Sequence, residues 1–396
     1  MRILVAHNYY RSSSPSGEDR VFEQERQLLQ DGGHVVHSVV RRNDAISDSA
    51  RDRLGAALAA FWSTESYKEV RDAIDRFRPD VMHCHNLFPQ LSPSILAACS
   101  DRAIPVVQTL HNFRLLCANG LLLRAGRICE SCVGRSMLSG IRHACYRHSR
   151  YASAAVALSV SAHRLLGLHS DRVQKFIVLT EFALTRFLAA GLPPEKFAVR
   201  PNWVPDPGRP QTSSQEHFLF VGRLSAEKGL RTLLAAWRLL PGQQLVIIGD
   251  GPLRQELEEL ATQLGPHVQF RGTQPPNRVT EAMRQARALV VPSECYEGLP
   301  LVIPEAYASG VPVIAARHGA MASIVKEPTN GQTFEPGSPE SLADAVRRMV
   351  GTSQYLSAIA QNNRKAYEDS FSPPAALRSL TRIYQDLLTE HRLACR

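Results

Sequence analysis

Two series of short apolar segments, each alternating with amphipathic helical patterns, constrain the fold of this chain most strongly. The first series includes Met1–His7 and Ile104–Thr109 as expected strands, and the second includes His217–Val221 and Ala288–Val291. Strands that alternate with helices indicate a parallel sheet with crossover helices. The sequence therefore predicts an α/β protein with two Rossmann-like domains whose parallel sheets face a central cleft.

A proline-rich segment separates the two series. Four prolines lie within Pro201–Pro210, and the polar segment Gln211–Ser214 follows them, a composition typical of a domain boundary. We therefore expect an N-terminal domain over residues 1–200 and a C-terminal domain over residues 201–373. The last segment, residues 374–396, has the spacing of an amphipathic helix and is expected to cross back to the N-terminal domain.

Hydrophobicity and charge limit where the chain can act. No apolar run approaches the roughly 18–20 residues of a membrane span, and Ile3–Ala6 is too short for a signal-peptide core, so we expect a cytoplasmic protein. Residues 102–164 contain nine basic residues and one acidic residue. Such a surplus suits peripheral contact with an anionic inner membrane face or an anionic acceptor, although a solvated arginine-rich surface explains it equally well.

The segment Val291–Ala306 has the pattern of an anion-binding site between a strand and a helix. Pro304 is compatible only with the first helical turn, so the helix is expected to begin near Pro300. Its first backbone N–H groups would then lie free at a positive dipole end. These N–H groups belong to Gly298, Leu299 and Leu301.

Charged side chains around this segment suggest the ligand. Glu297 and Glu305 flank the expected helix start, and carboxylates suit hydroxyl groups rather than phosphate. Arg223 and Lys228 lie in a glycine-bounded loop after the strand His217–Val221, and both side chain types bind phosphate. Either cation alone would be an ordinary solvated residue. Together with the carboxylates they favour a sugar nucleotide, which is anionic in the middle and rich in hydroxyl groups at both ends.

Three runs resemble the motifs of the family 4 glycosyltransferases, which are retaining, metal-independent enzymes that use nucleotide sugars and have the two-domain GT-B fold. The runs are VGRLSAEKG (221–229), GDGP (249–252) and PSECYEGLPLVIPEAYASGVPVIA (292–315). The resemblance implies that Glu297 and Glu305 form the family's E-x7-E pair.

The resemblance also implies roles for individual residues. Glu297 would bind a hydroxyl of the donor sugar, and Glu305 would bind the ribose. The diphosphate would lie on Arg223 and Lys228, with the base near two further residues. Those two residues are Gly251 and Arg271.

In the N-terminal half the resemblance is looser. Gly17 lies in a Pro15–Gly17 segment where the family usually has a pair of glycines. His111 follows an expected strand at the position of the family's active-site histidine, next to the transferred sugar; a buried structural histidine is the alternative. Other polar residues also follow expected strands and are candidates as a group, namely His7, Asn8, His85, Asn86 and Asn112.

The expected chemistry follows from charge. Cleavage of a glycosyl–phosphate bond builds negative charge on the diphosphate, and fixed cations with a helix dipole stabilise it. No divalent cation is required if Arg223 and Lys228 supply this charge, and no Asp-x-Asp motif is evident. With the roles that the resemblance implies for His111 and Glu297, we expect these two residues, Arg223 and Lys228 to be the catalytic residues of a hexosyltransferase that needs no cofactor.

The expected function is a retaining glycosyltransferase that moves a sugar from a nucleotide-diphosphate donor to a glycan or lipid-linked acceptor. Cell-surface polysaccharide or glycoconjugate synthesis would be its setting. One alternative is a nucleotide-sugar epimerase of the same architecture, which would turn over donor without acceptor. Another is a non-catalytic protein that binds sugar nucleotides or nucleic acid. The intact set of charged motif residues argues against that second alternative, and no nucleic-acid partner is expected.

Four cysteines raise a separate possibility in an expected insertion at about residues 114–150. They are Cys117, Cys129, Cys132 and Cys145, and they include one C-x2-C pair. Such a set suits a tetrahedral structural zinc ion, because disulfides are uncommon in the cytosol. Four independent core cysteines are the alternative. A zinc ion here would hold the insertion beside the acceptor and would take no part in the chemistry.

We predict that the purified protein contains about one zinc ion per chain, as expected for a closed four-cysteine site. Elemental analysis of the purified protein measures this directly. Replacing Cys99, which lies outside the group, by alanine should leave the zinc content unchanged. Protein without stoichiometric zinc would contradict the prediction.

Overall fold

The computed structural model describes residues 1–13, 16–47, 49–208, 216–350 and 353–394 of the chain. Pro15 and the boundary segment Gln211–Ser214 lie outside the described residues. The chain divides into two compact units. Unit 1 comprises residues 1–121, residues 130–200 and the chain from Leu377; unit 2 comprises residues 122–129 and 201–376.

Unit 1 is organised around a six-stranded parallel sheet with the strand order β2-β1-β3-β4-β7-β8. Its strands are β1 (Arg2–Tyr9), β2 (Val35–Arg42), β3 (Val81–Cys84), β4 (Val106–Leu110), β7 (Lys175–Val178) and β8 (Phe197–Val199). A separate antiparallel pair, β5 (Leu123–Arg124) and β6 (Arg127–Ile128), belongs to the segment grouped with unit 2.

Helices cross between the strands of unit 1. They are α1 (Gly17–Asp31), α2 (Ala50–Phe61), α3 (Thr64–Phe77), α4 (Ser94–Ser100), α5 (Leu138–Arg142), α6 (Arg150–Leu165) and α7 (Glu181–Ala189). Helix α1 is fixed at its start by a capping box, in which Ser16 and Asp19 bond each other's backbone N–H groups, so the loop after β1 has a defined path.

The core of unit 1 includes part of the last helix, α15 (Pro373–Ala394). Strand and α1 residues of the core, among them Ile3, Val81 and Phe22, pack against Leu380 and Tyr384 of α15. These side chains are buried because the amphipathic face of α15 from Leu377 onward lies on unit 1.

Unit 2 has a second six-stranded parallel sheet, with the order β11-β10-β9-β12-β13-β14. Its strands are β9 (His217–Val221), β10 (Leu245–Ile248), β11 (Val268–Phe270), β12 (Ala286–Val291), β13 (Val313–Ala316) and β14 (Gly331–Phe334). Its helices are α8 (Leu230–Trp237), α9 (Arg254–Thr262), α10 (Pro276–Gln285), α11 (Val302–Ala308), α12 (Gly319–Ile324), α13 (Pro339–Met349) and α14 (Ser353–Ala366).

Both sheets have the topology that the alternation of strands and helices predicts, so the expected pair of Rossmann-like domains is confirmed. Four single turns complete the description: Asn43–Ala45, Pro194–Lys196 and Ala226–Lys228 are 3-10 turns, and Tyr367–Phe371 is a π turn. Within the described residues, no helix combines the length and the apolar character needed to cross a membrane.

Candidate active site

In unit 2, the loop between β9 and α8 carries two cations. Arg223 is exposed, and within the described part of the chain no side-chain hydrogen bond or ion pair engages it. Lys228 instead donates to Glu297 Oε1 at 2.5 Å. Gly229 has a φ of +70°, and a Cβ there would collide with the Pro292 carbonyl oxygen. A glycine at this position therefore lets the loop lie directly against the loop after β12.

Glu297 has two hydrogen-bond donors on the same oxygen. Besides Lys228, the Ser293 hydroxyl donates to Oε1 at 2.8 Å. Ser293 is itself fixed, because His318 Nε2 donates to its carbonyl oxygen at 2.7 Å. Burial alone would lower the pKa of Lys228, but the adjacent Glu297 carboxylate raises it above its ordinary value. Lys228 is therefore a cation held in place beside the exposed Arg223.

Helix α11 begins at Val302, two residues after the expected start at Pro300. The intervening turn is held by the Ile303 N–H, which donates to the Pro300 carbonyl at 3.0 Å. Pro304 is buried in the first turn, as expected, and Glu305 is half-buried in the same turn. The three N–H groups proposed for anion binding precede the helix, at Gly298, Leu299 and Leu301.

The structure gives Gly251 a packing role. A Cβ on Gly251 would lie 2.5 Å from the Leu224 carbonyl oxygen, and one on Gly249 would collide with the Gly222 carbonyl oxygen. The backbone that comes close to these two glycines is therefore that of the neighbouring loop of unit 2. Contact between Gly251 and a nucleotide base stays a prediction. The same holds for Arg271, which is exposed after β11 and borders a small polar pocket.

In unit 1, His111 follows β4 and is joined to a row of buried groups. His85 Nδ1 lies 3.0 Å from His111 Nε2, and the two rings lie edge to edge and nearly coplanar, with their centroids 5.2 Å apart. On its other side, His85 Nε2 lies 3.2 Å from Glu25 Oε1. The Arg200 guanidinium pairs with the other carboxylate oxygen of Glu25. His111 is thus connected to a buried ion pair through one histidine.

His83 approaches the same carboxylate from another direction. Its Nδ1 lies 3.3 Å from Glu25 Oε1 and 2.6 Å from Tyr384 Oη, and its Nε2 lies 2.8 Å from Thr109 Oγ1. Burial lowers the pKa of His83 to about 3. Burial would also raise the pKa of Glu25, but Arg200 and the contact with His85 hold it well below its usual range. Glu25 is therefore ionised.

His111 also lines a pocket within unit 1 that has room for a few water molecules, at about 90 Å3. The pocket lining includes residues from α1, β4, α6 and the loops after β3 and β4. Asn112 Nδ2 donates to Glu18 Oε1 at 2.7 Å across this lining, and burial raises the pKa of Glu18. Gly17 opens α1 with nothing within 4 Å of where its Cβ would be, so packing within the chain does not require a glycine there.

Other strand-end residues are engaged in local structure. His7 Nε2 pairs with Asp19 at 2.8 Å, and Asn8 Nδ2 donates to Asn43 at 2.8 Å. Asn86 Nδ2 donates to the Asn8 carbonyl at 2.7 Å. Only part of the predicted group, Asn86 and Asn112 with His85 and His111, borders the pocket.

Two acidic residues near this pocket were missed by reasoning from the sequence. Glu25 lies in the apolar stripe of α1 with Val21, Phe22, Leu28 and Leu29. A carboxylate within such an apolar stripe was the sequence signal for a buried ion pair, since a buried charge needs a partner. Glu18 gave no comparable signal, because the first turn of a helix commonly carries an acidic residue.

The four cysteines predicted to bind zinc are described by the structure. Cys117 and Cys132 are buried, and Cys129 and Cys145 are half-buried. Cys132 packs with Met137 and Ala157 in a small apolar cluster. Among the described residues, no three of these cysteine sulfurs lie within 4.8 Å of one another. Zinc binding by this set therefore stays a prediction, and it would require the sulfurs to move closer together.

Comparisons with known proteins identify the class of this chain. A family model described as "Glycosyl transferase 4-like domain" matches residues 16–203, and one described as "Glycosyl transferases group 1" matches residues 207–366. The chain is a family 4-like glycosyltransferase, and it has the GT-B fold.

Individual relatives are distant. Sulfoquinovosyl transferase SQD2 of Arabidopsis thaliana is 28% identical over 305 residues, which is 74% of this chain and 54% of SQD2; this chain thus spans about half of SQD2's length. The uncharacterized glycosyltransferase MJ1607 of Methanocaldococcus jannaschii is 25% identical over 338 residues, 83% of this chain and 80% of MJ1607. Anabaena HepE, solved in complex with UDP, is similar in structure, with a TM-score of 0.68 and 19% identity over 98% of this chain and 100% of HepE.

We predict that the protein loses stability as the pH falls below about 6.5, the ordinary histidine pKa. Burial lowers the pKa of seven histidines, namely His7, His34, His83, His111, His163, His169 and His217. Below that pH the unfolded chain binds protons that the folded chain does not. Its unfolding free energy should then fall by up to about 1.4 kcal/mol per pH unit for each such histidine. Urea titrations near pH 7.5 and near pH 5 measure the difference.

A variant tests the assignment of this pH dependence. His169, whose pKa is lowered to about 3, lies with Nδ1 3.1 Å from Gln108 Oε1. Replacing His169 by Gln should make the pH dependence shallower, because one titrating group is removed. Equal unfolding free energies for the parent protein at the two pH values would contradict the prediction.

Proposed function

We propose that this chain is a retaining glycosyltransferase that transfers a sugar from a nucleotide-diphosphate donor to a lipid-linked glycan acceptor. The observation that carries the donor half is the contact between the two loops of unit 2. There Lys228 is paired with Glu297, and the exposed Arg223 lies in the same loop as Lys228. The HepE structures, solved with UDP and with UDP-glucose, support a nucleotide-sugar donor.

The two cations suit the leaving group. As the glycosyl–phosphate bond breaks, charge accumulates on the diphosphate, and two cations on one loop, of which Lys228 is already held by Glu297, stabilise it. Arg223 offers a planar fork for two phosphate oxygens, and Lys228 offers a point charge. Because these groups are already cationic, the proposed chemistry needs no divalent metal ion.

Glu297 suits a sugar hydroxyl. Lys228 and Ser293 both donate to its Oε1, so the carboxylate is oriented before a ligand arrives. An oriented carboxylate accepts a hydrogen bond from a hydroxyl but repels phosphate. In this proposal Glu297 binds the donor sugar and Glu305 the ribose. The diphosphate leaves from the face on which the acceptor attacks and assists removal of the acceptor proton, so the anomeric configuration is retained.

The pocket of unit 1 suits the acceptor. Arg114 lines it, with its guanidinium 4.5 Å above the Phe88 ring, where it could meet the phosphate of a lipid-linked acceptor. The rest of the lining mixes polar side chains, such as Glu18 and Asn86, with apolar side chains, such as Val156 and Val160 of α6. Arg114 supplies a cation for a lipid-linked phosphate, and the pocket, at about 90 Å3, has room for a small polar group but not for the apolar chain.

The outer faces of α2 and α6 support a membrane-bound acceptor. On α6, Tyr151, Leu158 and Leu165 recur every seven residues and are 91%, 67% and 88% exposed. Seven residues are close to two helical turns, so these side chains form one stripe. On α2, Leu54 and Leu58 are also exposed. The two helices are in contact, because Ser159 Oγ donates to the Ala60 carbonyl at 3.2 Å.

Exposed arginines adjoin this apolar surface. They lie just before and at the start of α6, at Arg142, Arg147 and Arg150. An apolar stripe bordered by cations is complementary to a bilayer surface that contains anionic lipids. We therefore propose that the surface formed by α2 and α6 docks on an anionic membrane.

The reaction is tested by replacing Glu297 with Gln. We expect transfer to fall by roughly 10²-fold or more, the loss typical of removing one oriented electrostatic group. Donor binding, measured as a thermal shift with UDP and with other nucleoside diphosphates, should fall much less. Glu256→Gln is the control, because Glu256 pairs with Arg231 in an exposed ion pair elsewhere in unit 2. Transfer by Glu297→Gln equal to that of the parent protein would refute the proposed role.

The same assay separates the alternative activity. Incubation with donor alone, followed by NMR, should show no inversion of the sugar. Epimerised donor without acceptor would identify a nucleotide-sugar epimerase instead.

Membrane docking is tested by co-sedimentation with vesicles. We expect binding to vesicles that contain anionic lipids and weak binding to neutral ones. Replacing Leu158 and Leu165 by Glu should weaken binding by roughly 100-fold or more, since each buried leucine contributes about 1.5 kcal/mol or more and two contribute about 3 kcal/mol. Leu239→Glu is the control, because Leu239 is an exposed leucine of unit 2. Absence of binding to anionic vesicles at low salt would exclude the docking surface.

A further inference from the structure

Glu25, His85 and His111 form a row of polar contacts. The buried carboxylate at one end of this row determines which nitrogen donates a proton and which accepts it at each contact. Glu25 and Arg200 are only 2% and 1% exposed, and their pairing leaves no net charge at that point. An ionised carboxylate accepts hydrogen bonds and cannot donate them. His85 Nε2 lies 3.2 Å from Glu25 Oε1, in ion-pair rather than hydrogen-bond geometry. A ring N–H facing this carboxylate is attracted to it and a ring lone pair is repelled, so we take Nε2 to carry the proton.

Charge balance then fixes the other nitrogen of His85. Arg200 already supplies the positive charge that matches Glu25. A second proton on His85 would add an uncompensated charge to a buried site, which is costly. His85 is thus neutral, and its Nδ1 is an acceptor. His111 Nε2, 3.0 Å away, must donate to it, which leaves Nδ1 of the neutral His111 ring without a proton.

We infer that Glu25 and His85 are positioning residues that hold His111 as the Nε2-protonated tautomer, so that its Nδ1 accepts a hydrogen bond from a ligand hydroxyl. This inference rests on the proposed function for the identity of the ligand, a sugar hydroxyl. The tautomer itself does not depend on that function. The His85 and His111 ring planes are 16° apart with centroids 5.2 Å apart, so the rings lie nearly coplanar and meet edge to edge, which aligns the N–H of one ring with the lone pair of the other.

A metal ion is the competing use of these groups. Glu25, His83 and His85 bring one ligand atom each within 4.8 Å of one another. The Arg200 guanidinium on the same carboxylate disfavours a divalent cation, because it would leave a buried site with a large positive charge. His83 also already contacts a hydroxyl with each ring nitrogen, those of Tyr384 and Thr109. The hydrogen-bonded row is therefore the better account of this cluster.

The test is the tautomer of His111 in the whole protein without ligand, read from the 15N chemical shifts of its ring nitrogens. In the parent protein we expect Nε2 to be protonated and Nδ1 unprotonated. His85→Phe keeps an aromatic ring beside His111 but removes the hydrogen bond, so we expect a mixture of His111 tautomers. Transfer should fall by roughly 10- to 100-fold, the usual loss when a residue that orients a functional histidine is removed.

Two further variants complete the experiment. Glu25→Gln should also mix the His111 tautomers, since an amide can either donate to His85 or accept from it. If Glu25→Gln fails to fold because Arg200 loses its partner, His85→Phe still decides the question. Tyr384→Phe is the matched control: it removes a contact to His83 in the same cluster, and it should leave the His111 tautomer unchanged.

Several results would overturn the inference. These are a proton on His111 Nδ1 in the parent protein, a doubly protonated His85, a His111 tautomer that does not change in His85→Phe, and zinc bound at Glu25. Because the spectra are recorded without substrate, they test the His111 tautomer independently of the transfer assay. If the proposed function is wrong but the inference is right, the parent protein will show no transfer while His111 has the expected tautomer.

Discussion

The buried pair of Glu25 and Arg200 is the contact on which the organisation of unit 1 depends. Removing two charges from water costs several kcal/mol for each, and only close pairing with further hydrogen bonds offsets that cost. His85 Nε2 and His83 Nδ1, at the end of β3, lie 3.2 and 3.3 Å from Glu25 Oε1 in ion-pair rather than hydrogen-bond geometry, and His83 in turn contacts Tyr384 of α15. The Glu25 carboxylate of α1 thereby links three other parts of unit 1. They are the end of β3, Arg200 just before the proline-rich segment, and α15 at the end of the chain.

In unit 2 the charged residues are positioned in a different way, because glycines allow the backbones of neighbouring loops to lie in direct contact. Gly229 and Gly249 sit where any side chain would collide with a carbonyl of the adjacent loop. The loops after β9, β10 and β12 can therefore stack at the carboxyl edge of the sheet, which is the edge where open parallel sheets bind ligands. The ion pair between Lys228 and Glu297 joins two of these loops at the surface. Because it is half-buried rather than fully buried, this pair remains accessible to a ligand.

The sequence allowed the repeating architecture and the charged motif residues of unit 2 to be predicted, since both depend on local patterns. Alternating strands and helices indicate parallel sheets, and residues 221–229 and 292–315 are contiguous motifs. The features that the structure corrected or added depend on contacts between residues far apart in the sequence or on loop geometry. Gly251 packs against Leu224, and α11 starts at Val302 because a turn precedes it. Glu25 was missed because its partners lie about 60 and 175 residues further along the chain, where no spacing rule applies.

Helix α6 connects the chemical and the membrane aspects of the proposed function within unit 1. Its inner side, with Val156, Ser159 and His163, borders the pocket that also contains His111. Its outer side carries the exposed stripe of Tyr151, Leu158 and Leu165. His163 Nε2 donates to the Phe61 carbonyl at 2.7 Å, which fixes α6 against the end of α2. A bilayer that covered the outer stripe would therefore lie one helix diameter, about 10 Å, from the pocket. That separation suits an acceptor whose apolar chain stays in the lipid while its phosphate reaches Arg114.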